Sequence, residues 1–302
     1  MFKTKHGFGF LCYLLFFCVP SMFIIALGGQ DQQQAFNEAW QKFVDGDFIS
    51  SEALVDNQLD GKIDSRHLQA NFLYLKAYLQ GKRSGLHFEA TTNFQRAQSF
   101  YMEQGFQEGV YCTDLGLAKI FLDEGHNEEA KARLFNCLNL AKQYDFPMGY
   151  IYALLAESAT QEGNYERALQ YARQSEGAYK AFKDQTGMAN ALCQQGFLQL
   201  TLGQWQLGYE TSLRAQAQIV KAGAPYLHVY TLANMALYYS YNDMDISPLV
   251  TPIERAIEGN RDENLTQILD FVLGIIAKPT QTSSLNDPPR PPLPPLPIPG
   301  PD

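Results

Sequence analysis

Five histidines, His6, His67, His87, His126 and His228, are the side chains best placed by nature to move protons or hold a metal near neutral pH, and they are scattered along the chain. No two of them stand three or four residues apart, the spacing that puts both rings on one helix face, and there is no Cys-x-x-Cys. Gly7-Phe8-Gly9 lies inside an apolar leader, with no strand before it to make a phosphate loop. The densest acidic group, Asp123-Glu124 and Glu128-Glu129 around His126, reads as a solvated hairpin tip. Of five cysteines, Cys12 and Cys18 fall in the leader, and Cys112, Cys137 and Cys193 are too few and too odd in number for a disulfide framework. The expectation is a chain without catalytic residues, metal or cofactor.

Charge narrows the partners. The 302 residues carry a net charge of −9, and setting aside Lys3 and Lys5 of the leader leaves 21 basic against 32 acidic residues. Such a body repels phosphate backbones and anionic lipid headgroups, which excludes nucleic acid and a peripheral lipid-bound helix as first readings. Residues 1–28 have the layout of a signal peptide: Lys3, Lys5 and His6 as a polar head, an uncharged stretch from Phe8 to Leu27, and Ala26-Leu27-Gly28 before a polar run. The alternative is an uncleaved anchor, since some twenty apolar residues just span a bilayer. Either way the body is expected outside the cytoplasmic membrane, periplasmic or tethered to its outer face.

The elements that must position any site come from a repeat. Gly125, Gly163 and Gly203 follow one another at intervals of 38 and 40 residues. Each has a small residue seven positions before it and another five after it: Ala118 and Ala130, Ala156 and Ala168, Gly196 and Gly208. Two helices that each bury one apolar stripe pack as a hairpin, and where their axes come closest there is room only for Ala or Gly. The glycine between them ends the first helix in a left-handed conformation. Tyr165 and Trp205, two residues beyond, are expected to cover the turn. A hairpin leaves one apolar face bare, and only another hairpin covers it.

This layout resembles the tetratricopeptide repeat in its longer form of about forty residues. The resemblance is good over 111–222 and partial over 227–241, where Asn242-Asp243 stands in place of the turn glycine. It is weaker upstream, where Ala35 to Trp40 with the turn Gly46-Asp47-Phe48, and then Phe72 to Leu79, read as two earlier repeats. It implies an all-α, right-handed superhelical solenoid of five to six hairpins over 31–277. The amphipathic stretch Asp262 to Ala277 would serve as a capping helix. Residues 278–302, with nine prolines from Thr280 onward, are expected to lie outside the core as polyproline II or coil. Leu293-Pro294-Pro295-Leu296-Pro297 is similar to an SH3-domain ligand, although Arg290 sits one residue too far away.

Stacked hairpins curve, and first helices line the concave side. Counting from the small residue, groove-facing positions lie six and two before it and one and five after it. The candidate partner-binding residues are therefore Lys119, Tyr150, Glu157, Asn190, Gln194, Phe197, Tyr230, Asn234, Leu237 and Tyr241. Lys119 alone among them is basic, which argues against the carboxylate clamp of some tetratricopeptide proteins. Aromatics and amides instead suit a protein or peptide segment. Antiparallel packing brings Cys112 and Cys137 level, leaving a disulfide sterically open, with two half-buried thiols as the alternative. The function expected is an envelope scaffold for another protein, with a sensory or regulatory module as the second reading and a hydrolase or other enzyme of unrecognised type as the third.

Overall fold

The computed structural model describes residues 30–44, 47–222 and 227–257. The leader, the expected capping helix at 262–277 and the proline-rich tail lie outside the described residues. Twelve α-helices occur among them and no strand: α1 (Gln30–Val44), α2 (Phe48–Leu59), α3 (Arg66–Gln80), α4 (His87–Glu103), α5 (Gln107–Asp123), α6 (Asn127–Tyr144), α7 (Gly149–Gln161), α8 (Tyr165–Ala181), α9 (Gln185–Thr201), α10 (Trp205–Ala222), α11 (His228–Tyr241) and α12 (Ser247–Ile257). Each helix packs on the next, making six hairpins of a helical solenoid. None of these helices is long and apolar enough to cross a membrane.

Local chemistry sets where helices begin. Asp47, Ser65, Asn164 and Asp184 each accept a backbone N–H of the first turn of α2, α3, α8 and α9. Helix ends are set by residues of positive φ at Gly105, Gly125, Asp145, Gly163, Lys183, Gly203 and Asp243, spaced by 18 to 20 residues up to Gly203. The closing pattern repeats. At Gly125 the N–H of His126 reaches the Phe121 carbonyl at 2.7 Å and that of Gly125 reaches Leu122 at 3.0 Å, and the same pair of bonds closes α7 and α9. Asp243 does for α11 what glycine does for its neighbours. From Gly105 to Gly203 the turns within and between hairpins thus use one device, whereas the sequence singled out only the turn within the hairpin.

The matched small residues are buried, and the glycine pair is in close contact. Ala118, Ala130, Ala156 and Ala168 are buried, and a Cβ built on Gly208 would lie 3.0 Å from the Gly196 carbonyl oxygen. A second contact locks one hairpin to the next. The buried Tyr179 ring of α8 sits against Gly187 of α9 and Gly149 of α7, where a Cβ would come within 2.3 and 2.5 Å of it. Tyr101 of α4 rests in the same way on Gly109 of α5. These glycines are recesses for tyrosine rings. Asp114 of α5, almost wholly buried, ties its neighbours by accepting from Gln98 of α4 at 2.8 Å and from Arg133 of α6 at 2.5 Å.

First helices also touch the first helices of adjoining hairpins: α1 with α3, α5 with α7, α7 with α9, α9 with α11. Among the described residues no second helices are joined to a comparable extent. The stack is therefore tighter along the first helices, which is what makes that side concave.

Two predictions follow from these contacts. Gly208→Val should lower unfolding stability by about 1–3 kcal/mol through overpacking. Gly177→Ala, in the exposed interior of α8 with open space around it, should raise stability by about 0.5–1 kcal/mol. Urea denaturation of the two variants measures both. A third concerns Asp184, whose carboxyl burial pushes up to about 7 against the lowering effect of backbone N–H groups of Gly187 and Thr186. Between about pH 4 and pH 7 the folded chain retains a proton that the unfolded chain has released, so this residue's contribution falls as pH rises through that window. Asp184→Asn should therefore gain on the order of 1–3 kcal/mol at pH 8 and progressively less toward pH 4. Unfolding curves across that range would show it; an equal gain at every pH would refute the assignment.

Candidate partner-binding groove

One residue position per turn of each first helix faces the concave side, and the five helices α3, α5, α7, α9 and α11 together line a cavity of about 530 Å³. Nine of the ten sequence candidates lie on its wall: Lys119, Tyr150, Glu157, Asn190, Gln194, Phe197, Tyr230, Asn234 and Leu237. Tyr241 does not. Its ring stacks on Trp205 with centroids 3.7 Å apart, so the turn aromatic that was to cover the hairpin holds Tyr241 outside the wall.

The positions have different duties. Two before the small residue, Gln194 gives its Nε2 hydrogen to the Ala153 carbonyl at 3.4 Å, and Asn234 gives its Nδ2 hydrogen to Cys193 at 3.0 Å. Each amide bonds the first helix of the preceding repeat. Gln161, five after the small residue, does likewise to Leu122 at 3.0 Å. Asn234 is thus a structural tie whose donor is already committed, and the same holds for the nitrogen of Gln194.

One after the small residue stand Lys119 and Glu157, in successive repeats. They pair at 3.1 Å, and Lys119 also bonds Asp123 one turn on. Burial alone would lower the Lys119 ammonium, but the Glu157 and Asp123 carboxylates together hold it well above the usual lysine range. The cation is fully engaged and the triad keeps one excess negative charge. In the next two repeats the same position is apolar, Phe197 and Leu237. The groove is therefore polar toward α5 and α7 and apolar toward α9 and α11.

Six before the small residue are Tyr150, Asn190 and Tyr230. Burial, the proximity of Tyr78 and Glu157, and a hydrogen bond with Tyr78 push the Tyr150 phenol well above its ordinary value. Asn190 is 6% exposed, yet its Nδ2 has no hydrogen-bond partner, and neither has the Oε1 of Gln194 beside it. A buried donor and a buried acceptor thus stand side by side on the wall, each lacking a bond whose absence is costly.

Sequence reasoning missed three contributors. Tyr78 and Lys82 stand one and five after Ala77, in the register of Lys119 and Asp123 after Ala118, so Ala77 was the signal. It was hidden because the α3–α4 turn is lengthened by a short 3-10 segment, Ser84–Leu86, and no glycine follows at the usual distance. Phe94 belongs to second helix α4 and reaches the groove over Gly116, where a Cβ would come within 2.4 Å of its ring. The disulfide left open between Cys112 and Cys137 is not formed. Cys137 is a buried free thiol directed at the Tyr111 carbonyl, 3.9 Å away.

No protein-family model and no curated protein sequence matches the chain. Solved structures do. The Rap conjugation gene regulator of plasmid pLS20, in complex with the Phr* peptide, superposes with a TM-score of 0.70 at 17% identity, covering 81% of this chain and 68% of that one. NprR with its cognate peptide NprX gives 0.61 at 17%, covering 84% and 74%. A signal-transduction ATPase with a tetratricopeptide-repeat sensor from Pyrococcus horikoshii gives 0.56 at 11%, covering 82% and 39%. At these identities the likeness is one of fold, and the fold is a tetratricopeptide-type helical repeat.

The division of labour is testable by urea denaturation. Asn234→Ala removes a buried interhelical hydrogen bond together with the packing of its side chain and should cost about 1–3 kcal/mol. Asn190→Ala, which breaks no bond of the unpartnered Nδ2, should change stability by less than about 1 kcal/mol.

Proposed function

We propose that this chain is a non-enzymatic interaction scaffold, built of the longer tetratricopeptide repeat of about forty residues, that holds a protein or peptide segment in its concave groove. One observation carries the reading: Asn190 Nδ2 and Gln194 Oε1 are buried, unpartnered and adjacent on a wall otherwise rich in aromatic and apolar side chains. A peptide backbone offers a carbonyl and an N–H in that combination, and the rings of Tyr150, Phe197 and Tyr230 offer contact area. The charged groups Lys119, Asp123 and Glu157 at the other end are spent on one another. The peptide complexes of the Rap regulator and NprR agree with a segment held by such a fold. Export to the cell envelope, periplasmic or tethered at the outer face of the cytoplasmic membrane, is part of the proposal and rests on the leader sequence.

The test is selection from a displayed random-peptide library against the purified chain. Peptides recovered should bind at least tenfold more weakly to the double variant Asn190→Ala, Phe197→Ala, with helical circular dichroism unchanged. Equal binding by that variant would move the interaction to the convex side. A regulatory module is the second reading, favoured by the Rap neighbour, a gene regulator seen with its peptide. Small-angle scattering separates the two: a scaffold keeps its dimensions on saturation with peptide, a regulator changes them.

A further inference from the structure

The chain carries a segment whose chemistry matches its own groove. Residues 280–302 hold nine prolines, the apolar residues Leu293, Leu296 and Ile298, and one basic residue, Arg290. A proline supplies a carbonyl acceptor and no N–H, so a proline-rich strand seeks hydrogen-bond donors and flat aromatic faces. The groove supplies both: the buried donor Asn190 Nδ2, and the rings of Tyr150, Phe197 and Tyr230.

Reach agrees as well. Helix α12 packs against α11, which forms the apolar end of the groove, so the chain leaves the described solenoid beside it. The thirty residues from 258 to 287 span up to roughly 100 Å when extended. The five first helices, at about 10 Å spacing, cover only about 40 Å. Even a helix over 262–277, about 24 Å long, leaves slack.

Resting on the reading of the groove as a peptide site, we infer that its resident ligand is the chain's own proline-rich tail, docked in cis, which an external partner must displace. The Leu293 to Ile298 stretch is the part proposed to lie against Phe197, Tyr230 and Leu237. A tethered segment competes at an effective concentration of about millimolar order, so even weak docking keeps the groove largely filled. The tail thereby sets a threshold for partner affinity.

A fluorescent peptide of residues 284–302 tests this by anisotropy against three full-length chains. The first is unchanged, the second carries Leu293→Asp and Leu296→Asp in the tail, and the third adds Asn190→Ala and Phe197→Ala to the second. The free peptide should bind the tail variant at least tenfold more tightly than the unchanged chain. The added groove substitutions should remove that binding. Equal affinity for the first two chains, or undiminished affinity for the third, would overturn the inference. If the tail variant ignores this peptide but still binds a library-selected one through Asn190 and Phe197, the tail is excluded and the groove reading stands. If it binds neither, both fall.

Discussion

Two backbones that pass within van der Waals contact, at Gly196 and Gly208, set the geometry on which the rest of this molecule depends. A side chain at either place would force the helices apart, and the alanines at the matched positions of the two preceding hairpins allow the same near approach. With the helix pair fixed at its closest point, the turn beyond must reverse the chain within two or three residues. That is why residues of positive φ recur so regularly. Tyrosine rings from α4 and α8, seated on Gly109 and on Gly149 with Gly187, then hold one hairpin against the next. Stack and curvature follow from small residues and the groups that fill the recesses they leave.

Curvature turns one face of each first helix into a shared wall, and the wall is stiffened by the residues that also define it. Gln194, Asn234 and Gln161 give their amide hydrogens to carbonyls of the preceding first helix. The Lys119 and Glu157 pair bridges two more. A wall tied in this way loses little freedom when it is filled, which favours binding by preorganisation. What it leaves open is small and definite: the Asn190 donor, the Gln194 acceptor and the rings around them.

That economy also explains the character of the groove. Ion pairs and amide ties engage Lys119, Asp123, Glu157 and Gln161 at the α5–α7 end. At the α9–α11 end the same positions are Phe197 and Leu237, which offer contact area.

Much of this architecture is written locally. The spacing of Gly125, Gly163 and Gly203 with their small neighbours is enough to specify the hairpins, their order and which helix face turns inward, because helical periodicity converts sequence distance into direction. Periodicity says nothing of what a side chain meets once it gets there. Only the packed structure decided that Tyr241 leaves the wall to stack on Trp205, and that Cys137 lies under Tyr111 instead of joining Cys112. It alone decided that Phe94 arrives from a second helix through the space above Gly116, and that Asn234 is a tie while Asn190 is a free donor. These outcomes depend on partners some twenty to forty residues away in the chain. Such distances are fixed by the relative placement of helices, which local spacing does not encode.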